Sequence, residues 1–231
     1  MTDFQAHDLL FEATGLNVVD VAANTAASHF VNQLQNIHFR YFPGHEHVIE
    51  EIRAYREKPT GSSIRHAWLM HRGDSPVGEF IFHTCPQRGI AVLHYVAVNE
   101  EARASFPVGW FEHLISSVTL QAELDLASRS KSLLAIAAEV QNTSRWDRTG
   151  FHTVDVGYQE PHHGMHWSDF GEPSFFDINL VAKITPIGSD EPYGPLMGSI
   201  VKAFLVDHYC IDEKNSTVAS IIRNAEALLP R

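Results

Sequence analysis

IAVLHYVAVNEEARASFPVGWFEHLISSVTLQAELDL, residues Ile90 to Leu126, reads as a strand, a polar turn and a long helix. Ile90 to Val98 is apolar at almost every position and rich in Val, Ile and Tyr, the composition of a strand buried on both faces. Asn99 to Ser105 breaks that run. From Phe111 onward, Phe111, Leu114, Ile115, Val118, Ala122 and Leu126 recur at helical spacing, so one stripe of a helix faces a core. A strand feeding a helix through a tight turn makes an anion-binding corner, because the first helical turn presents unpaired N–H groups at the positive end of its dipole. The corner suits a phosphate-bearing ligand, although most such corners in αβ proteins bind nothing.

Working outward, the flanking segments predict a mixed sheet covered by helices on both faces. Val18 to His38 keeps close to helical spacing, and after Phe42-Pro43-Gly44 a short helix carries Val48, Ile49, Ile52 and Tyr55. Thr60 to Ser63 reads as a loop. Ile64 to His71 and Val77 to Thr84 are strand-like around Arg72-Gly73-Asp74-Ser75, which is hairpin-turn chemistry. Beyond the long helix come strands at Leu133 to Val140, Thr153 to Val156 and Phe175 to Ile184, with a His-rich loop from His162 to Glu172. Two amphipathic helices, marked by Leu196 to Leu205 and by Val218 to Leu228, close the chain and are apolar enough to cover a sheet edge or a second subunit, as in a homodimer. Residues 1–187 therefore read as one domain and 188–231 as a helical extension packed on it.

Composition narrows the function classes. With 17 Lys and Arg against 28 Asp and Glu, the net charge of −11 argues against nucleic acid or an anionic membrane as main partner and is compatible with a cationic substrate such as an amine. No apolar run approaches the roughly 18 residues that span a bilayer, and MTDFQAHDLL lacks the form of a signal peptide, so the expected location is cytoplasmic. Cys85 and Cys210 are too few for a disulfide framework and read as buried thiols. No metal site is expected. His45 and His47 flank Glu46 without the four-residue spacing that puts two ligands on one helix face, and Gly164 works against a helix joining His162, His163 and His166.

The order of elements, together with several local motifs, resembles the GCN5-related N-acetyltransferase (GNAT) family over roughly residues 40 to 185. Tyr95 to Val98 followed by Arg103 is similar to the family's fourth strand and the turn after it. Ala138-Glu139-Val140, Asn142 and Arg148-Thr149-Gly150-Phe151 are similar to its fifth strand, a frequent Asn and the Gly-Phe leading onward. Val154 to Pro161 resembles the tyrosine-glutamine-proline ending of one subgroup, and Phe42 to Glu46 an early element of the same subgroup. The resemblance implies an α/β (α+β) GNAT-like fold with a mixed, mainly antiparallel sheet, and acetyl-CoA as acyl donor.

Two departures accompany it. The family's turn carries Arg or Gln, then glycines that let backbone wrap a pyrophosphate; here Arg103, Ala104, Ser105, Phe106, Pro107, Val108 and Gly109 stand there, and Pro107 has no N–H. Trp146 occupies the place of the tyrosine that protonates the leaving thiolate, and an indole is no useful acid. On the resemblance, Val96, Ala97 and Val98 lie beside the acyl group, and Arg103, Ala104, Val108, Gly109, Asn142 and Trp146 complete the donor site between the fourth and fifth strands.

Acylation of an amine needs a base, a polarised carbonyl and a proton for the thiolate. Glu139 is the expected base, since burial raises a carboxyl's proton affinity; the alternative is a structural ion pair with Arg145 or Arg148. Glu46 and His45 are the second choice. Tyr158 is the tyrosine placed to act as acid, against an alternative in which its ring simply packs. Three readings stay open: an acyltransferase, a catalytically degenerate acyl-CoA-binding or protein-interaction module, and a metal-dependent enzyme using the His loop.

Overall fold

The computed structural model describes residues 6–23, 25–59, 63–162 and 173–230. The decisive stretch folds as read: β4 is Ile90–Val98, and the helix after it, α5, is Trp110–Ala127. The polar break between them holds one short helix, α4 (Glu100–Arg103), because the Asn99 side chain accepts the Glu101 N–H and caps it. The hairpin also forms as read, from β2 (Ile64–Arg72) and β3 (Ser75–Cys85), with Gly73 at φ 58° in the turn.

A seven-stranded sheet carries the fold. Its remaining members are β1 (Asn17–Asp20), β5 (Ala135–Val140), β6 (His152–Thr153) and β9 (Asn179–Ile184), and the order is β1-β2-β3-β4-β5-β9-β6. β4 and β5 run parallel, pairing Ile90–Leu93 with Ala135–Ala138, while β5 and β6 both pair antiparallel with β9. A separate two-stranded ribbon joins β7 (Gln159–Pro161) to β8 (Phe175–Asp177). The fold class is thus the expected GNAT-like mixed α/β arrangement.

The chain divides into two compact units. The first takes Met1–Gly61, Arg65–His83 and His94–Gln121. In it α2 (Ser28–Tyr41) and α3 (His47–Glu57) bury Val31, Leu34, Ile37, Val48, Ile49 and Ile52 with Ala67, Leu69 and Ile81 of the sheet. Arg56 locks the approach to α2 by donating to the carbonyls of Val21, Ala23 and Ala26. The predicted helix over Val18 to His38 is corrected here. Val18 and Val19 extend β1 and pair with Met70 and Leu69, and Asp20 ends the strand by accepting from the N–H groups of Ala22 and Ala67. β-branched residues favour the pleated sheet over a helix start. The helix begins only at Ser28, and α1 (Ala6–Thr14) precedes β1 in a segment without a clear period.

The second unit takes Ser62–Ile64, Thr84–Leu93 and Ala122–Arg231. Its core joins Ile90, Val92, Ala135, Ala137, Leu180 and Ala182 of the strands to the closing helices α7 (Tyr193–Lys202) and α8 (Ser216–Glu226). Gly194 and Gly198 let those helices touch, since a Cβ at Gly194 would lie 2.2 Å from the Glu226 carbonyl oxygen. α7 continues as a wider π-helical segment, Ala203–His208. The short helix α6 (Ser144–Asp147) follows β5. Phe175 to Ile184 is two strands and not one, interrupted at Ile178, and the strand expected over Thr153 to Val156 shrinks to His152–Thr153. Cys85 is buried as expected; Cys210 is exposed, on a positive-φ residue just past the π-helical segment, so its expected burial is corrected. Of the His-rich loop, His162 is described, while His163 and His166 lie outside the described residues. No described helix is long and apolar enough to cross a membrane.

Candidate active site

Glu139 sits near the end of β5, where alternation turns its side chain away from its neighbours Ala138 and Val140. Its two carboxyl oxygens are both engaged, in the second unit, by tyrosines. The Tyr158 hydroxyl donates to Oε1, and the Tyr209 hydroxyl donates to Oε2 at 2.6 Å. Tyr209 also lies 3.2 Å from Glu160 Oε1. Among the described residues Glu139 meets no arginine, so the ion-pair alternative with Arg145 or Arg148 is not what forms.

The three partners arrive by two routes. Glu160 belongs to β7 and Tyr158 immediately precedes that strand. Tyr158 is buried, its ring edge-on to Phe204 at 6.1 Å. Tyr209 is delivered by the π-helical segment, closed where the Tyr209 N–H donates to the Phe204 carbonyl at 2.9 Å, five residues back. Such widened turns recur at functional sites, since they re-aim the side chains that follow.

The electrostatics follow from crowding two carboxyls into a low-dielectric place. Burial first, then the negative charge of Glu160, push the Glu139 carboxyl up to about 8, against the opposing pull of the two tyrosine hydrogen bonds. The same burial and the neighbouring carboxyls raise both tyrosine hydroxyls well above their ordinary value. Tyr209 has one hydroxyl proton and lies within hydrogen-bond distance of both Glu139 Oε2 and Glu160 Oε1, so it links the two carboxyls.

The other expected site residues fall in different settings. In the first unit Val96, Ala97 and Val98 end β4, with Ala97 buried; β3 approaches so closely that a Cβ on Gly78 would lie 2.5 Å from the Ala97 carbonyl oxygen. Arg103 ends α4, 3.8 Å from Glu100, and Ala104 and Val108 are exposed. Gly109 stands directly before α5 at φ 84°, and a Cβ there would meet only Glu112 Oε2, at 3.9 Å. Arg72 donates to the Ser105 hydroxyl in the same turn. Arg103 and Arg72 are thus the cations at this turn, and the carboxylates of Glu100 and Glu112 oppose them. Glu46 is exposed; its own and the Gly44 backbone N–H groups hold its carboxyl below the ordinary range, which makes it a weaker base than Glu139. In the second unit Asn142 accepts the Ser144 N–H and so starts α6, while Trp146 is buried edge-on to Phe151 at 5.0 Å. Both have local structural work.

Of this cluster the sequence singles out Glu139 and Tyr158 and not Glu160 or Tyr209. Glu160 lies inside the quoted stretch that resembles the tyrosine-glutamine-proline ending and could have been weighed there. Tyr209 carries no local signal.

No family model and no curated protein matches the sequence. Solved structures do match. A GNAT-family acetyltransferase structure from Bacteroides thetaiotaomicron overlaps with a TM-score of 0.52 at 15% identity, covering 81% of this chain and 98% of that one. Tetrahymena GCN5 overlaps with a TM-score of 0.45 at 14% identity over 74% of this chain and 96% of its own. An Elizabethkingia anophelis GNAT-family acetyltransferase, solved with acetyl-CoA bound, gives 0.43 at 15% identity over 74% and 98%. With its sheet order, its parallel β4–β5 pair and the overlap with the Bacteroides structure, this chain has the fold of the GCN5-related N-acetyltransferases.

Proposed function

We propose that this chain is an acyltransferase that moves an acetyl or related acyl group from acyl-CoA to an amine. The observation that carries the reading is the Glu139 carboxyl, raised to about 8 on β5 of a GNAT-like sheet and hydrogen-bonded to Tyr158. A general base works best when its proton affinity is near the working pH, and an ordinary exposed carboxyl is too weak for an amine.

Glu139, once ionised, takes the proton that the amine nitrogen loses as its bond to the acyl carbon forms. Tyr158 gives its hydroxyl proton to the sulfur as the carbon–sulfur bond breaks, and regains one from Glu139 along their existing hydrogen bond. The proton count balances: one leaves nitrogen and one reaches sulfur. Tyr209 and Glu160 set the proton affinity of Glu139 without touching the reactants. A bound acyl-CoA would supply the activated carbonyl.

The test is release of CoA thiol from acetyl-CoA in the presence of a panel of primary amines. Wild type should turn over at least one of them. Glu139→Gln, a shape-matched side chain that cannot take the proton, should lower kcat by about tenfold or more with acetyl-CoA affinity kept. If Tyr158→Phe turns over at the wild-type rate, the thiolate takes its proton elsewhere. Trp146, packed in the core at the place of the family's acid, favours a second reading: a GNAT-like acyl-CoA-binding module without catalysis. Tight acetyl-CoA binding with no turnover across the amine panel supports that one instead.

A further inference from the structure

In the first unit a second set of titratable groups lies away from Glu139. Glu79 on β3 and His38 in the last turn of α2 are both fully buried, with His38 Nδ1 2.9 Å from Glu79 Oε1. His38 Nε2 lies 3.1 Å from the carbonyl oxygen of His45, in the turn between α2 and α3. These two contacts need two protons. A carbonyl only accepts, so the contact with His45 takes a proton on Nε2. A carboxylate also only accepts, so the contact with Glu79 takes a second one, owned by Nδ1 or by the carboxyl. With both bonds made, the pair holds one proton more than a neutral ring beside a carboxylate.

When that extra proton leaves, one proton remains for the two contacts. It stays at Nδ1, because the Glu79 carboxylate is buried and its Oε2 has no hydrogen-bond partner among the described residues; without Nδ1–H it would be an unpaired buried charge. The His45 carbonyl gives up its bond at smaller cost, since it also accepts the Val48 N–H at 3.1 Å. The bare Nε2 then faces the carbonyl oxygen, lone pair against lone pair, and the peptide plane joining His45 to Glu46 is pushed to turn.

We infer that His38 and Glu79 form a proton-sensitive latch on the turn between α2 and α3, which grips the His45 carbonyl while the pair keeps its extra proton and releases it when that proton is lost. The latch works whether or not the chain transfers acyl groups. Several groups face it. From β4 the Tyr95 ring lies edge-on to His38 at 5.0 Å, and its hydroxyl is 3.0 Å from His45 Nδ1. From the turn itself Phe42 packs on His38 at 5.3 Å, and the exposed Glu46 carboxylate interacts with the His38 and His45 rings through space. Burial raises the Glu79 carboxyl against the pull of its bond to His38, so the extra proton is kept above the ordinary carboxylate range.

The test follows the His38 ring nitrogens and the Glu46 backbone amide by nitrogen-15 NMR between pH 5 and pH 10. In wild type Nε2 should pass from N–H to bare nitrogen as the pH rises, and the Glu46 amide should shift with the same midpoint. Glu79→Gln donates an amide N–H to Nδ1 without any titrating proton, so in this variant Nε2 should stay protonated and the Glu46 step should vanish. The His45 ring is present in both proteins, so any shift it causes is common to both. Three results overturn the inference: Nε2 still protonated at pH 10 in wild type, an Nε2 change with no Glu46 shift, or the same paired change in Glu79→Gln. The first two are read on wild type alone and stand even where the variant does not fold.

Discussion

The raised Glu139 carboxyl has a thermodynamic consequence that does not depend on any substrate. In the unfolded chain the group ionises near its ordinary 4.5, and in the folded protein near 8. Between those values the folded state binds one more proton than the unfolded state, so stability falls as the pH rises. The contribution is fully present below about 4.5 and is lost as the pH climbs through 8. Within the window the slope is about 1.4 kcal/mol per pH unit, so pH 5 to pH 8 removes roughly 4 kcal/mol at most. Other groups titrate over the same range, and Glu139→Gln separates them, since glutamine keeps the shape and never ionises. Urea unfolding of both proteins at pH 5, 6.5 and 8 measures the difference directly. Glu139→Gln should gain on wild type by several kcal/mol across the series, through the loss in wild type. Parallel profiles, separated by a constant amount, would refute the raised carboxyl and with it the base assignment.

Two further perturbations probe the packing behind the sites. His38→Leu strips the buried Glu79 carboxylate of its partner and should destabilise the protein by about 3–5 kcal/mol, read from the urea midpoint. A loss under about 1 kcal/mol would mean that Glu79 is already neutral and needs no partner. Gly188→Ala puts a Cβ 2.0 Å from the Leu134 carbonyl oxygen, backbone that cannot step aside. It should cost about 1–3 kcal/mol, and an unchanged melting temperature would show that the 3-10 turn at Gly188–Asp190 shifts freely.

Much of the fold was legible because its signals are local. β4 was read to the residue because eight of its nine positions are apolar or aromatic and Gly89 and Asn99 bound the run, and α5 because its apolar stripe is regular. The hairpin was legible from its turn. Val18 and Val19 were lost inside a helical period, since two apolar residues before an Ala-rich run satisfy either spacing, and only the pairing with β2 decides for the strand. The break at Ile178 was equally hidden, because Asp177 and Asn179 on either side of it also fit the polar face of one continuous alternating strand. At the site, Glu139 and Tyr158 could be found because they stand in motifs. Tyr209 could not, because its place depends on a π-helical segment and on a helix packing onto strands far back in the chain. Trp146 and Asn142 were grouped with the donor site by position along the chain, and each has a packing or capping partner that only the folded structure reveals.

The measurement closest to the central claim is thermal unfolding of the purified protein with acetyl-CoA, with free CoA and with neither. Ligand at about 100 times its dissociation constant stabilises the folded state by roughly 2.7 kcal/mol. For a chain of this length that raises Tm by roughly 5 to 10 °C. A shift of that size with both ligands is the expected result, and it would show that the folded protein binds an acyl-CoA. Identical melting curves at saturating ligand would contradict the account, leaving a GNAT-like fold that does not use an acyl-CoA donor.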